Sequence, residues 1–251
     1  MRKTITCIII LALVVLCVLS GKVSASDIEF LTTSEVIDTL GYLHVFGEVQ
    51  NIGSQNVKFV EITGTFYNVE PVVIGTEYTF TMLDQLEPGQ KSPFDLFIMN
   101  VKTSVEVTSY KLTVTVSEAN AKLRGLQILS YSNSIDGLGY LEIVGEVKNL
   151  QSNSASYVEV IGTFYDQNDT VIGCDYTFTN PTDLAGGQTG PFKMTFMYKT
   201  LSSLITSYTL TVQSNEYSEI PEYPVGLLFT MLTIAIVAAT AIKRRARFKA
   251  L

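Results

Sequence analysis

One histidine, His44, and three cysteines, Cys7, Cys17 and Cys174, supply all the imidazole and thiol chemistry of this 251-residue chain. His44 lies in LHVFGEV, where Leu43, Val45, Gly47 and Val49 alternate with His44, Phe46 and Glu48. Period two predicts a half-buried strand with the histidine on its wet face. A single exposed imidazole lacks the companions that a zinc site of ordinary composition needs, and no nucleophile accompanies it for a Ser-His-Asp or Cys-His relay. Cys174 is matched elsewhere by Thr76, so it reads as a packed small side chain. Glu48, Glu61, Glu146 and Glu159 recur at matched places. A glycoside-hydrolysing pair would need two carboxylates facing each other across a cleft, whereas residues repeated in both halves serve a shared surface or fold. Asp166-Gln167-Asn168-Asp169 gathers oxygen ligands but lacks the glycine and distal glutamate of a calcium loop. GLGYLEIVG, at Gly137–Gly145, leads into a strand with no following helix, so it cannot cradle a phosphate. These readings predict no catalytic, cofactor or metal site and a protein that is not an enzyme. One modification site stands out: Asn168-Asp169-Thr170 is the only N-glycosylation sequon, on a predicted hairpin tip.

The two ends set the expected address. Arg2 and Lys3, the apolar run Ile8–Leu19 and the small residues Val23-Ser24-Ala25 make a secretory signal peptide, with cleavage expected between Ala25 and Ser26. An uncleaved signal anchor is the alternative. Near the other end, Val225–Ile242 carries no charge. At 1.5 Å per residue it covers about 27 Å, enough for the hydrocarbon core. Lys243, Arg244, Arg245, Arg247 and Lys249 follow, which predicts a stop-transfer helix with the N-terminus outside. All 24 acidic residues lie between Asp27 and Glu222, against 9 basic residues in the same stretch, so the exported part carries −15. Such a charge argues against nucleic acid as a partner. A single cysteine in the mature part excludes an intrachain disulfide there.

A repeat organises everything between. Sliding the chain by 98 residues aligns Ile28–Val116 with Leu126–Ser214, with 39 identities in 89 pairs and no gap. DxLGYL, GEVxN, GQxxPF and TSYxLTV occur once in each half. The period is too long for a solenoid unit and long enough for an independent core. Each half reads as short alternating strands. Val60, Ile62, Gly64 and Phe66, and their counterparts Val158, Val160, Gly162 and Phe164, form a core face opposite Glu61 and Thr65. Asp166–Asp169 predicts a polar hairpin tip, and Asn68-Val69-Glu70-Pro71 a tip of different turn chemistry. Glu87-Pro88-Gly89-Gln90 suits a type II turn. Six or seven strands per half without helices predict an all-β fold of two tandem immunoglobulin-like β-sandwiches. The expected boundaries are 26–117 and 126–214 for the sandwiches, 118–125 for a linker, 215–224 for a neck, 225–242 for the membrane helix and 243–251 for a basic tail, after a signal peptide over 1–25.

GEVKN, GTFYD, VIG and GGQTGPF in the second half, with GEVQN, GTFYN, VIG and PGQKSPF in the first, resemble the FxLYD domain, although Tyr165 follows Phe164 directly where the family's name places a leucine between. That resemblance implies a small β-sandwich module of prokaryotic secreted and membrane-anchored proteins, with no assigned active site. At the tail, Pro221, Glu222 and Tyr223 before the apolar run resemble the archaeal Pro-Glu-Phe sorting signal, with Tyr223 in place of phenylalanine. The resemblance implies an archaeal source and an enzyme that exchanges the apolar span for a lipid; an ordinary stop-transfer helix is the other reading. Either way the expectation is a non-enzymatic, membrane-anchored cell-surface protein. Its two domains would contact a protein or cell-envelope partner through exposed Phe46, Phe59 and Tyr67, their counterparts Val144, Tyr157 and Tyr165, or open sheet edges. The alternative is an accessory ligand-binding or receptor module of a transport or secretion complex, which would show a concave apolar pocket.

Overall fold

A computed structural model describes residues 24–220. The signal segment before residue 24, the motif Pro221, Glu222 and Tyr223, the apolar run 225–242 and the tail 243–251 lie outside the described residues. Among the described residues no helix is long and apolar enough to cross a membrane.

Alternation of β-branched and aromatic residues with polar ones makes more than half of the described chain strand. The first repeat contains β1 (Ile28–Ile37), β2 (Leu43–Asn51), β3 (Val57–Tyr67), β4 (Val73–Phe80), β5 (Gln85–Leu86), β6 (Lys91–Ile98) and β7 (Ser109–Glu118), with a single helix, α1 (Val101–Glu106). The second contains β8 (Leu123–Ile135), β9 (Leu141–Asn149), β10 (Glu159–Tyr165), β11 (Val171–Phe178), β12 (Thr189–Phe196), β13 (Ser207–Gln213) and β14 (Tyr217–Glu219), with α2 (Lys199–Ser202). In the first repeat a sheet of order β1-β2-β6 faces one in which β3 pairs with β4, β5 and β7. In the second, one sheet of order β11-β10-β13-β14-β8-β9-β12 wraps around its own core, because β14 joins β13 antiparallel and β8 parallel.

The expected core faces are the observed ones. Leu43, Val45 and Val49 of β2 and Phe94 and Leu96 of β6 meet Val60, Ile62 and Phe66 of β3. Ile143, Val147, Phe192, Met194 and Phe196 meet Val158, Val160, Phe164 and Val212 in the second core. The expected linker shortens to 119–122, since β7 and β8 extend into it, and β14 takes part of the expected neck into the sheet.

Turn chemistry explains the repeated motifs. In DxLGYL, Asp38 Oδ1 accepts from the amides of Leu40 and Tyr42 at 2.9 and 2.8 Å, and Asp136 does the same for Leu138 and Tyr140 at 2.8 and 2.9 Å. Gly41 and Gly139 follow at φ +88° and +92°, a region open to glycine without steric cost. Asn68 and Asp166 hold their hairpin tips in one common way, each accepting from the amides two and four residues on, so the two tips share the turn chemistry expected to differ. In GEVxN the asparagine is fully buried. Asn51 Nδ2 donates to the carbonyls of Gln55 and Leu86 at 2.8 and 3.0 Å while Oδ1 accepts from Gly53 N at 3.0 Å. Asn149 repeats that pattern with Asn153, Leu184 and Gln151. Removing such a side chain strands buried carbonyls. Asn51→Ala is expected to cost about 1–3 kcal/mol, read as a fall in the midpoint of denaturant unfolding.

Candidate functional site

In both repeats β2 and its counterpart β9 send one row of side chains into the core. The opposite rows differ. Glu142, Val144 and Glu146 of β9 reach solvent to varying degrees, whereas His44, Phe46 and Glu48 of β2 are all buried. The face expected to be wet is covered by the second repeat: β10 and β11 lie over it, with α2 at one end. Phe46 packs with Val171 and Cys174 of β11, and Tyr165, Tyr198 and Leu201 close around them. Ile161 of β10 joins the core cluster of the first repeat. Period two identifies two faces but cannot tell water from a second domain.

His44 sits at the heart of this joint, not at the surface. Its ring is stacked between Phe46 (centroids 5.6 Å apart, planes at 14°) and Phe97 (5.1 Å, 9°), and the ring of Tyr198 meets it edge-on at 5.4 Å. Nδ1 lies 2.9 and 3.0 Å from the two carboxylate oxygens of Asp95, Nε2 lies 3.7 Å from Asp38 Oδ2, and the Tyr198 hydroxyl is 3.2 Å from Nδ1. Burial alone would lower the imidazole pKa. The Asp95 hydrogen bond and the charges of Asp95 and Asp38 outweigh it and raise the value above the ordinary 6.5. Nearby, burial together with the charge of Asp95 lifts the Asp175 carboxyl to about 6. Burial pushes the Cys174 thiol well up, which removes thiolate chemistry. Glu48 accepts from the Tyr165 hydroxyl at 2.8 Å and lies 3.5 Å from Lys91 Nζ; burial lifts that phenol to about 12. Asp95 and Asp38, of its own repeat, hold the ring nitrogens, and the imidazole clamps the joint through Tyr198 of the second repeat. Among the described residues no group of three or more His, Cys, Asp or Glu is disposed to hold a metal ion.

A polar clasp completes the joint. Gln213 Nε2 donates to Met82 O (3.0 Å) and Glu159 Oε2 (2.7 Å), and its Oε1 accepts from Asp84 N. Lys122 bridges Asp84 and the Ser214 carbonyl, and Arg124 pairs with Glu87 at 2.7 Å. At the far side Thr32 Oγ1 accepts from Val171 N at 3.0 Å. Among the described residues, 24–219 accordingly fall in one compact unit.

The exposed aromatics are elsewhere than expected for half of the set. Phe46 is fully buried and Tyr165 half-buried, both in the joint, and Tyr67 is half-buried as well. Phe59 and Tyr157 do face solvent, at 63% and 62% exposure, and both adopt positive φ, +51° and +53°. Such backbone is costly for a bulky residue. Beside each lies a second pair of exposed rings: Tyr78–Phe80 in T-shaped contact at 6.2 Å, and Tyr176–Phe178 at 5.9 Å. Phe59 and Phe80 line an open groove of about 650 Å³ with Lys58, Asp84, Gln85 and Lys122, and Lys58 Nζ stands 5.2 Å from the Phe59 ring centre. Among the expected site residues, Asn168 is exposed on the β10–β11 tip, and Ala25 and Ser26 fall in a 3-10 turn ahead of β1. Sequence reasoning missed Asp38, Asp95, Tyr198 and the joint role of Cys174. One signal was available: the partners of His44, Phe46, Asp95 and Phe97 in the second repeat are Glu142, Val144, Lys193 and Thr195, four changes of chemical type on one face of two paired strands.

No family model matches the chain. Over 95 residues it is 30% identical to the uncharacterized protein MJ0360 of Methanocaldococcus jannaschii, a match covering 38% of this chain and 69% of that one. Among solved structures, red sea bream transglutaminase is similar at a TM-score of 0.26 and 11% identity, covering 78% of this chain and 30% of that chain. The exo-chitosanase CsxA of Amycolatopsis orientalis gives 0.29 and 10%, covering 74% and 26%. Likeness at these values carries neither fold nor activity to this chain.

The clamp has a pH signature. A histidine whose pKa is raised by folding contributes stability that is fully present below 6.5 and is lost as pH rises through the folded value. Asp175, also raised, acts in the same direction between about 4 and 6. The stability advantage of the wild type over His44→Gln is therefore expected to be largest near pH 6 and to shrink toward pH 9, measured as paired thermal melts across that range.

Proposed function

The chain belongs to the family of the Methanocaldococcus jannaschii protein MJ0360, and from that premise we propose that it is a non-enzymatic, membrane-anchored archaeal cell-surface protein whose two repeats bind a protein or cell-envelope partner. In this reading each repeat is an immunoglobulin-like β-sandwich of FxLYD kind. The signal peptide is removed before Ser26, and the segment around Pro221, Glu222 and Tyr223 leads to a membrane helix or a lipid that replaces it. Asn168 carries a glycan. The observation that carries the reading is the matched pair of strained, exposed rings, Phe59 and Tyr157, each beside a second aromatic pair. Backbone strain kept in both repeats to hold a ring in water is stability given up for contact. Rigid aromatic side chains are the usual anchors of such surfaces. A structural role for the one imidazole and a buried thiol favour binding over catalysis. The groove lined by Phe59 and Phe80 supports the second reading, an accessory ligand-binding module.

The test is binding of the purified protein to isolated envelopes of its host. Phe59→Ala combined with Tyr157→Ala is expected to weaken binding with an unchanged melting profile, each truncation costing about 2 kcal/mol, roughly thirtyfold in Kd. Undiminished binding by the double variant would sink the reading. Loss with Phe59→Ala alone, and none with Tyr157→Ala, would favour the groove.

A further inference from the structure

The joint pairs two different surfaces: the β2–β6 face of the first repeat and the β10–β11 hairpin with α2 of the second. Because the repeats share one fold, each free end of the molecule carries the unused counterpart of one surface. The first repeat presents β3–β4 and α1; the second presents β9–β12. A contact between unlike surfaces of like units is open-ended and would let a second copy of the chain add at either end. The residues at the two free ends differ from their joined counterparts in a consistent direction. On the receiving side His44, Phe46, Asp95 and Phe97 become Glu142, Val144, Lys193 and Thr195. On the inserting side Ile161, Cys174, Tyr198 and Leu201 correspond to Thr63, Thr76, Asn100 and Thr103. Each change removes a ring, an aliphatic group or the clamp. Lys193 and Glu142 instead neutralise one another across the open face, in contact at 2.6 Å, and Thr76, Asn100 and Val144 stand exposed. The residues around these positions, Glu48, Thr65, Tyr67 and Val73, are the same in both repeats. Divergence has thus fallen on the side chains that select the partner.

We propose that the β2–β6 face is a one-use hairpin receptor whose partner is the chain's own β10–β11 hairpin, with His44, Phe46, Asp95 and Tyr198 as the residues that determine specificity, and that both free ends are capped against a second copy. A clamp histidine facing Asp95, Asp38 and Tyr198 admits a hydroxyl-bearing ring; Glu142 beside Lys193 offers no such partner. The stack therefore ends at two, as terminal repeats with polar outer faces end longer arrays.

Two four-residue variants test this, each altering one free end. One carries Glu142→His, Val144→Phe, Lys193→Asp and Thr195→Phe, and the other Thr63→Ile, Thr76→Val, Asn100→Tyr and Thr103→Leu. Light-scattering mass of the full chain in detergent is the readout. Wild type and each variant alone are expected at the mass of one protomer, and an equimolar mixture at twice that mass. Should a variant lose its cooperative melt, E142H/V144F against N100Y/T103L replaces the pair. Two overturning results are possible. Folded variants that never pair would show that these residues do not choose the partner. Wild type that already associates, and disperses on Val144→Arg, would show that the ends are open.

Discussion

Everything in this molecule hangs on one sheet being covered on both sides. The β2 strand is buried almost from end to end, with its core row against β3 and its outer row against β11. Burying a ring such as Phe46 removes apolar surface worth about 2–3 kcal/mol. Here it also carries two polar neighbours, His44 and Glu48, out of water. Those groups are tolerated because each meets a partner: Asp95 and Tyr198 for the histidine, Tyr165 and Lys91 for the glutamate. A buried charge without such partners would cost more than the apolar contact returns. Phe46 supplies the attraction, and the polar pairs fix the register in which it can be satisfied.

The repeated motifs serve a different end. Asp38 and Asp136, and Asn68 and Asp166, bind backbone amides within a few residues, and Asn51 and Asn149 bind carbonyls both nearby and 35 residues on, all within their own repeat. They do not depend on which surface the repeat presents. Duplication could therefore keep every turn and core face while the outer rows drifted, and that is the distribution observed. The fold is held by short-range hydrogen bonding and the core, and the joint by side chains that the fold does not need.

The same division explains what could be read in advance. Strand faces such as Val60, Ile62 and Phe66 show plainly, since period two reports burial against a core. The hairpin tips and DxLGYL turns show as well, since Asn, Asp and Gly act locally. The joint does not show in one repeat, because a strand covered by a second domain keeps the same alternation as a strand in water. His44 looks like a surface residue for that reason. It becomes legible only when Glu142 is set beside it and Lys193 beside Asp95, so that the mismatch and not the motif carries the information. Phe59 and Tyr157 are legible as aromatics, but not their positive φ: Phe59 sits at a register shift between β3 and β7, and Tyr157 in the bend before β10.

Charge sets the last constraint on the joint. Between Asp27 and Glu222 the chain carries 24 acidic against 9 basic residues, and Asp38 and Asp95 both approach one imidazole. An ionised carboxylate beside Cys174 and Phe46 is costly unless it meets a compensating group, since the apolar surroundings weaken screening. The structure divides the problem. The imidazole is held toward its charged form by Asp95 and Asp38, while Asp175, buried and facing Asp95 as a like charge, is held toward its neutral form. The Tyr198 hydroxyl stays protonated because the same carboxylates and its burial oppose its ionisation. These groups sit on opposite sides of the repeat boundary: His44 belongs to the first repeat, Asp175 and Tyr198 to the second. The carboxylates that raise the imidazole, Asp95 and Asp38, belong to the first repeat with it. Across the boundary Asp95 also raises Asp175 and Tyr198, so the second repeat's groups owe part of their states to a charge of the first, and the joint is where the two sets of groups meet.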